Sequence, residues 1–161
     1  MKYVIYIVCV LTLVGCSFGE IDKNISKDVD VPKVCFWTSC YHVEIADESH
    51  ERQQGLMWRE SMPKQEWMLF IFPDEAPRRT FWMKNTLIPL DMIWLDKEYT
   101  IVHIETDVPP CTTTVCPSYW PLETQSQYVI ELNAWELMWF SSALGDKVSI
   151  FYSTNEEISN K

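Results

Sequence analysis

Lys84, Asn85 and Asp91 are polar side chains in a largely apolar segment of the sequence, RRTFWMKNTLIPLDMIWLD. A lysine, an amide and a carboxylate supply directional hydrogen bonds, and the neighbouring indole of Trp82 offers a face on which a sugar or apolar ligand can stack. Two further charged residues belong to segments that can fold close to them. The sequence therefore predicts a ligand-binding region built from Arg59, Trp82, Lys84, Asn85, Asp91 and Glu131.

The same residues allow two other interpretations. Lys84 and Asp91 can form an ion pair across a turn, which contributes little if exposed and is costly to break if buried. Alternatively, Asp91, Lys84 and Glu131 can perform acid–base catalysis if their pKa values are perturbed. An open cleft favours binding, closed burial of the pair favours a structural envelope module that contacts another protein, and a raised carboxylate pKa in an open pocket favours catalysis.

Recognisable catalytic and cofactor motifs are not found. The sequence has no His-Glu-x-x-His motif, its four glycines form no phosphate-binding loop, and its three histidines are too scattered to indicate a metal triad. Thioethers suit Cu(I), but the methionines lack tight clustering and are better explained as core residues: Met57, Met62, Met68, Met83 and Met92. We therefore assign no catalytic residue, cofactor or metal, and the enzyme hypothesis lacks a nucleophile.

Four cysteines form two pairs with the same C-x4-C spacing, Cys35 with Cys40 and Cys111 with Cys116. In an exported protein, such pairs favour disulfides. A four-thiolate zinc site is the alternative, although zinc ribbons usually have C-x2-C spacing. The sequence leaves the pairing open, and the two local pairs are the simplest arrangement.

The N-terminal stretch MKYVIYIVCVLTLVGC is typical of an export signal. It has one basic residue and an apolar run shorter than the ~20 residues needed to cross a bilayer. Its end, LVGC, resembles the bacterial lipobox. This resemblance predicts removal of residues 1–15 and lipidation of Cys16, whereas the alternative is an ordinary secretory signal. Ser17 favours the periplasmic face of the outer membrane if the host is Gram-negative.

Residues 16–33 are polar and mixed in charge, which predicts a flexible tether with a span of roughly 20–25 Å. The chain carries a net charge of −10. An acidic surface is not attracted to phosphate backbones or anionic headgroups, so nucleic acid is not an expected partner. We expect membrane contact through the lipid on Cys16, and an unidentified small molecule or envelope component as the second partner.

The elements that must position the site are mostly strands. Asp47 is predicted to cap a short helix that ends at Gly55, and Asn133 to cap a second helix that ends at Gly145. Alternating or continuous apolar runs predict strands over residues 40–46, 67–72, 80–84, 92–95, 100–104, 127–132 and 147–152. This pattern indicates a mainly β fold, a single-domain β-sandwich or partly open β-barrel with two short helices, over residues 34–152. Residues 153–161 are predicted to be a disordered tail.

The blocks ERQQGLMWRESMP, MLFIF, FWMKNTLIPLDMIWLD, CPSY, YVIELNA and GDKV resemble, in this order, the domain of unknown function 192 family. The resemblance implies a small, mainly β, often exported protein, with no established reaction or ligand. The sequence departs from the family pattern at three glycine positions. Trp67 and Trp135 replace glycines, and the turn DKEY contains none, so features that need open space or positive φ at these points are in doubt.

Overall fold

The computed structural model describes residues 31–152. The predicted signal, the lipidated cysteine, the tether up to residue 30 and the tail lie outside the described residues. No helix of this part is long and apolar enough to cross a membrane. The described chain forms α1 (Ser49–Gln54), a 3-10 turn (Leu137–Trp139), and the strands β1 (Lys33–Phe36), β2 (Ser39–Ala46), β3 (Glu66–Pro77), β4 (Phe81–Trp82), β5 (Leu90–Leu95), β6 (Ile101–Val108), β7 (Ser118–Tyr119), β8 (Gln125–Asn133) and β9 (Ser149–Phe151).

Seven strands form one curled sheet in the order β6-β5-β8-β3-β2-β1-β9. The pair β2 and β3 is parallel, since the chain crosses over through α1 between them, and the other neighbours are antiparallel. The curl joins the two edges at one corner, where the Ile101 N–H donates to the Asp146 carbonyl at 2.8 Å and the Val148 N–H donates to the Tyr99 carbonyl at 3.0 Å. The mainly β, partly open barrel prediction is confirmed, with β4 and β7 as a separate small sheet.

The large sheet buries apolar side chains on both faces, as the continuous apolar run of β3 predicts. Trp67 and Leu69 point into a first core, together with Ile93 and Ile130. The intervening Phe70 points into a second core on the opposite face. That second core also contains Met92 of β5 and Val129 of β8, together with Leu56, which follows α1, and Met83, which follows β4.

The second predicted helix is much shorter than expected. After Asn133 the chain forms only the 3-10 turn Leu137–Trp139. Trp135 has φ 75°, a left-handed conformation through which an α-helix does not continue. The Asn133 side chain donates to the Met62 carbonyl at 3.1 Å instead of capping a helix. The spacing of apolar residues after Asn133 predicts a helix, but these tertiary contacts hold the segment in a different conformation.

The first helix begins one residue later than predicted. Glu48, not Asp47, is the N-cap residue, and the Glu51 carboxylate accepts a hydrogen bond from the Glu48 N–H at 3.1 Å. Gly55 ends the helix as predicted. Strands β1 and β7 were not predicted, because each is short and lies beside cysteine-rich or proline-rich sequence.

Both cysteine pairs form disulfides in the local arrangement. Cys35–Cys40 closes the hairpin between β1 and β2, and Cys111–Cys116 closes the loop before β7. Trp67, which stands where the family pattern has glycine, fills the first core, where it stacks on Tyr41 with ring centroids 4.0 Å apart. It therefore occupies core space and does not line a cleft.

Candidate functional site

Asp91 is enclosed and holds three elements together. Only 1% of the residue is exposed. Its Oδ1 accepts a hydrogen bond from the Asp107 N–H at 2.8 Å, and its Oδ2 accepts one from the Leu137 N–H at 3.1 Å. Asp91 thus ties β6 and the 3-10 turn to β5.

Lys84 and Asn85 lie where β4 leads into the turn before β5. The Lys84 Nζ is 5.2 Å from the ring centroid of Trp82, within the range of a cation–π contact, and no ion pair within residues 31–152 joins it to Asp91. Asn85 adopts φ 58°. Its N–H donates to the Cys111 carbonyl at 3.0 Å, and its carbonyl accepts from the Trp58 N–H at 2.8 Å.

Glu131 has the most unusual environment among the predicted site residues. It lies on the central strand β8, in register with Met68 of β3 on one side and Met92 of β5 on the other, and is 4% exposed. Burial raises the pKa of the Glu131 carboxyl to about 8, and the positive charge of Arg59 opposes this shift only in part. No hydrogen bond in the described chain contributes to this pKa. At neutral pH the carboxyl is therefore mostly protonated.

Arg59 acts on Glu131 through charge at a distance. Its guanidinium is engaged by Glu44, with Nη1 donating to Oε1 at 2.6 Å and Nη2 contacting Oε2. This pairing lowers the pKa of the Glu44 carboxyl, chiefly through the hydrogen bond from Arg59. The two residues form a partly exposed ion pair outside the buried carboxyl.

Glu131 lines a small pocket, with about 30 Å³ of accessible space, on the second-core face of the sheet. We call it the Glu131 pocket. Phe70, Phe81 and the half-exposed Trp82 form its aromatic wall, and Phe81 meets Phe70 edge to face with centroids 4.9 Å apart. The remaining lining comes from α1, the turn after it and the segment after β4: Arg52, Gln53, Gln54, Gly55, Leu56, Met57 and Thr86.

The fold separates the residues that the sequence grouped together. Asp91 pairs with Leu132 and Met92 with Glu131 across β5 and β8, so the two carboxyls point to opposite faces of the sheet. Trp82 and Glu131 line one pocket, and Lys84 adjoins it through the Trp82 ring. Asp91 contributes to the other face.

Sequence reasoning did not single out Arg52, Gln53, Gln54 and Thr86 as site residues. The three α1 residues belong to the block ERQQG, and Thr86 belongs to FWMKNT, so both segments carried the family resemblance. What was missing was the parallel crossover between β2 and β3, which places α1 over the pocket. Within residues 31–152 no group of three His, Cys, Asp or Glu side chains is arranged to hold a metal ion.

Gly55 shapes the base of the pocket and provides a test of its construction. The residue has φ 47° and ψ −132°, and an added Cβ would lie 3.1 Å from Phe70 Cζ and 4.0 Å from Glu131 Oε2. We expect Gly55→Ala to lower the free energy of unfolding by roughly 1–3 kcal/mol, from backbone strain and the Phe70 contact together. Urea denaturation measures this change.

Gly145→Ala is the matched control for that substitution. Gly145 has φ 91° but no heavy atom within 4 Å of an added Cβ, so its substitution carries backbone strain alone. A loss for Gly55→Ala no larger than that for Gly145→Ala would show that Phe70 is not packed against this position.

The chain is similar to proteins without an assigned activity. The family model for domain of unknown function 192 (DUF192), described as an uncharacterized ACR, matches residues 36–150. A solved structure from Sinorhizobium meliloti 1021, labelled a candidate transcription regulator, is 29% identical with a TM-score of 0.64, and the match covers 77% of this chain and 98% of that chain. A protein of unknown function from Novosphingobium aromaticivorans DSM 12444 is 28% identical with a TM-score of 0.60, over 74% of this chain and 83% of that chain. Among curated proteins, none matches significantly.

Proposed function

Because the chain belongs to the DUF192 family, whose description names no activity, we propose a function from the site itself: the Glu131 pocket binds a small, uncharged, hydroxyl-bearing ring molecule. One observation carries this proposal. The Glu131 carboxyl, on a central strand, lines a pocket that opens to solvent. Burial raises its pKa to about 8, and no hydrogen bond from the described chain contributes to that pKa. Buried polar groups are normally paired, so a ligand hydroxyl is a natural partner for it.

The dimensions of the pocket admit one polar group of a ligand and leave its ring outside. The accessible space of about 30 Å³ has room for a single hydroxyl group or water molecule beside Glu131. The Trp82 indole at the pocket wall provides a flat face on which the ring can stack, while Gln53, Gln54 and Thr86 add polar groups to the lining. This combination of one aromatic wall and a few polar groups suits a ring with hydroxyls at its edge.

The charge state of Glu131 favours a neutral ligand. A protonated carboxyl both donates and accepts hydrogen bonds, as a hydroxyl group requires. An amine ligand would need the ionised form, which burial disfavours and which only the nearby Arg59 supports. The label given to the Sinorhizobium structure does not extend to this chain, because a net charge of −10 opposes contact with nucleic acid.

The test is a binding measurement with a panel of neutral monosaccharides and polyols, followed by thermal shift and by Trp fluorescence. We expect Trp82→Ala to weaken binding about five- to thirtyfold, since stacking on an indole contributes roughly 1–2 kcal/mol. Trp139→Ala is the control, because Trp139 is exposed and does not line the Glu131 pocket. Equal affinities of the Trp82→Ala variant and the wild type would contradict the proposal, as would no response from any panel member.

The pH dependence of binding adds a second criterion. Wild-type affinity should fall as the pH rises through about 8, because the ionised carboxyl no longer donates to the ligand. Glu131→Gln keeps a donor at the same place and should bind without this pH dependence. Stronger binding above this pH would instead indicate a cationic ligand.

The raised pKa favours one second candidate, proton donation by Glu131 to a bound substrate. Glu131 is the sole carboxyl among the residues that line the pocket, so paired-carboxylate chemistry has no support there. In the same experiment, a panel member that is converted by the wild type and bound but not converted by Glu131→Gln would favour this candidate.

We propose that the site works outside the cytoplasm, on a domain held to a membrane by lipid on Cys16. The lipobox-like LVGC sequence supports this location. The two disulfides support it too, since such bonds persist in oxidising compartments. In a Gram-negative host, the periplasmic face of the outer membrane would place the pocket beside envelope components.

A further inference from the structure

A second surface of the molecule exposes aromatic side chains that the Glu131 pocket does not use. Trp37, at the tip of the β1–β2 hairpin, is 75% exposed, and Trp139 in the 3-10 turn is 84% exposed. Both line one concavity together with Phe140, and Met138 beside them is also exposed. We call Trp37, Met138, Trp139 and Phe140 the aromatic patch.

We propose that the aromatic patch docks on the headgroup region of an uncharged phospholipid bilayer and orients the anchored domain. Tryptophan is enriched at membrane–water interfaces because its ring is largely apolar and its N–H remains hydrogen-bonded. Large exposed apolar groups on one surface usually mark an interaction site. The proposal rests on the lipid anchor but is independent of what the Glu131 pocket binds.

The patch residues are uncharged, and the two charged residues that share a concavity with Trp139 and Phe140, Lys64 and Glu136, are of opposite sign. Segments 34–41 and 137–145 contain no charged side chain, although the chain as a whole carries −10. Anionic headgroups would repel so acidic a protein, whereas zwitterionic headgroups would not. The uncharged, aromatic composition of the patch therefore fits a neutral bilayer surface.

The chain that precedes the described residues has a suitable length. Residues 17–30 separate Cys16 from Val31, and the polar composition of these 14 residues predicts a span of roughly 20–23 Å. From Val31 through β1 (Lys33–Phe36) to Trp37, an extended chain covers at most about 20 Å. The tether can therefore reach from a lipid in the bilayer past the hairpin, with the Trp37 tip against the membrane.

The backbone at Trp37 decides which substitution can test the patch. Trp37 has φ 55°, a conformation that bulky side chains rarely adopt, in a hairpin closed by the Cys35–Cys40 disulfide. Trp58 and Trp135 are also exposed and also have positive φ, so this conformation does not distinguish the patch. A small polar residue fits such a turn and removes the apolar surface.

The test uses the full-length lipidated protein, reconstituted into phosphatidylcholine vesicles with brominated acyl chains that quench nearby tryptophans. We expect quenching in the wild type, and loss of most of it in the double variant Trp37→Asn/Trp139→Gln. Asparagine tolerates positive φ, so the hairpin should still fold. Trp58→Asn is the matched control, because Trp58 is 66% exposed with φ 67° but lies beside Asn85, outside the patch.

Each outcome decides one point. Equal quenching in the double variant and the Trp58→Asn control, or none in the wild type, would overturn the docking proposal. A wild type that self-associates in detergent without quenching would assign the patch to a second copy of the chain. Membrane fractionation of the Cys16→Ser variant tests lipidation separately. If this variant still pellets with membranes, lipidation of Cys16 is contradicted, whereas the quenching result stays valid.

Discussion

Glu131→Gln should make the protein more stable than the wild type above about pH 8, and the two proteins should be nearly equal in stability near pH 5. These limits follow from the raised pKa of the Glu131 carboxyl. The pKa of this group rises from 4.5 to about 8 on folding, so the native state binds the proton more tightly than the unfolded chain. The contribution of this proton to the free energy of unfolding is therefore complete below pH 4.5, the pKa in the unfolded chain. It is lost as the pH rises toward and through about 8. The total change is on the order of 4 kcal/mol. Glutamine does not ionise and so removes this dependence.

Urea denaturation between about pH 5 and about pH 9 measures this difference, because both proteins are compared at each pH. Glu44→Gln is the control. The pKa of Glu44 is lowered by Arg59, so its contribution is lost as the pH falls below about 4.5, outside this range. A wild-type decline that persists unchanged in Glu131→Gln would show that Glu131 is ionised in the folded protein.

Asp91→Ala should lower the free energy of unfolding by roughly 2–5 kcal/mol, because the Asp107 and Leu137 N–H groups would both lose their acceptor in a buried place. Asp91→Asn keeps one carbonyl acceptor and should lose less. If Asp91 is structural, its substitution should lower stability and leave the affinity for a ligand of the Glu131 pocket unchanged. If Asp91 binds the ligand, that affinity should fall as well.

Lys84→Ala is the comparison for that prediction. Lys84 contacts the Trp82 ring at a partly exposed position, so its removal should change stability by less than about 1 kcal/mol. Chemical denaturation midpoints of the three variants provide the measurement. Similar losses for Lys84→Ala and Asp91→Ala would indicate an ion pair between these residues, contrary to the geometry.

Much of the strand content could be predicted from local pattern, and the candidate site could be predicted only in part. The apolar runs of β3, β5 and β8 are continuous, and their periodicity required no tertiary information. The face of each side chain depends on strand register, since a shift of one residue exchanges the faces. Asp91 and Glu131 could not be assigned to opposite faces from the sequence, because β5 and β8 are far apart in the chain.

The failure of the second helix prediction has a tertiary origin. The apolar stripe after Asn133 is helical in spacing, yet Trp135 adopts positive φ and the Leu137 N–H donates to Asp91. A hydrogen bond to a strand far away in sequence thus prevails over local propensity. The turn at residues 96–99, in contrast, forms as predicted, although Tyr99 and not a glycine adopts the positive φ of 62°.

The hydrogen bonds that join Tyr99 and Ile101 to residues 146 and 148 have a consequence for the edges of the sheet. Strands β6 and β9 are the two ends of the sheet, where unpaired backbone groups can recruit another molecule and start fibre growth. Because backbone groups next to the two edge strands form hydrogen bonds with each other at one corner, each edge has fewer unpaired backbone groups. Fewer unpaired backbone groups are then available for the addition of another strand.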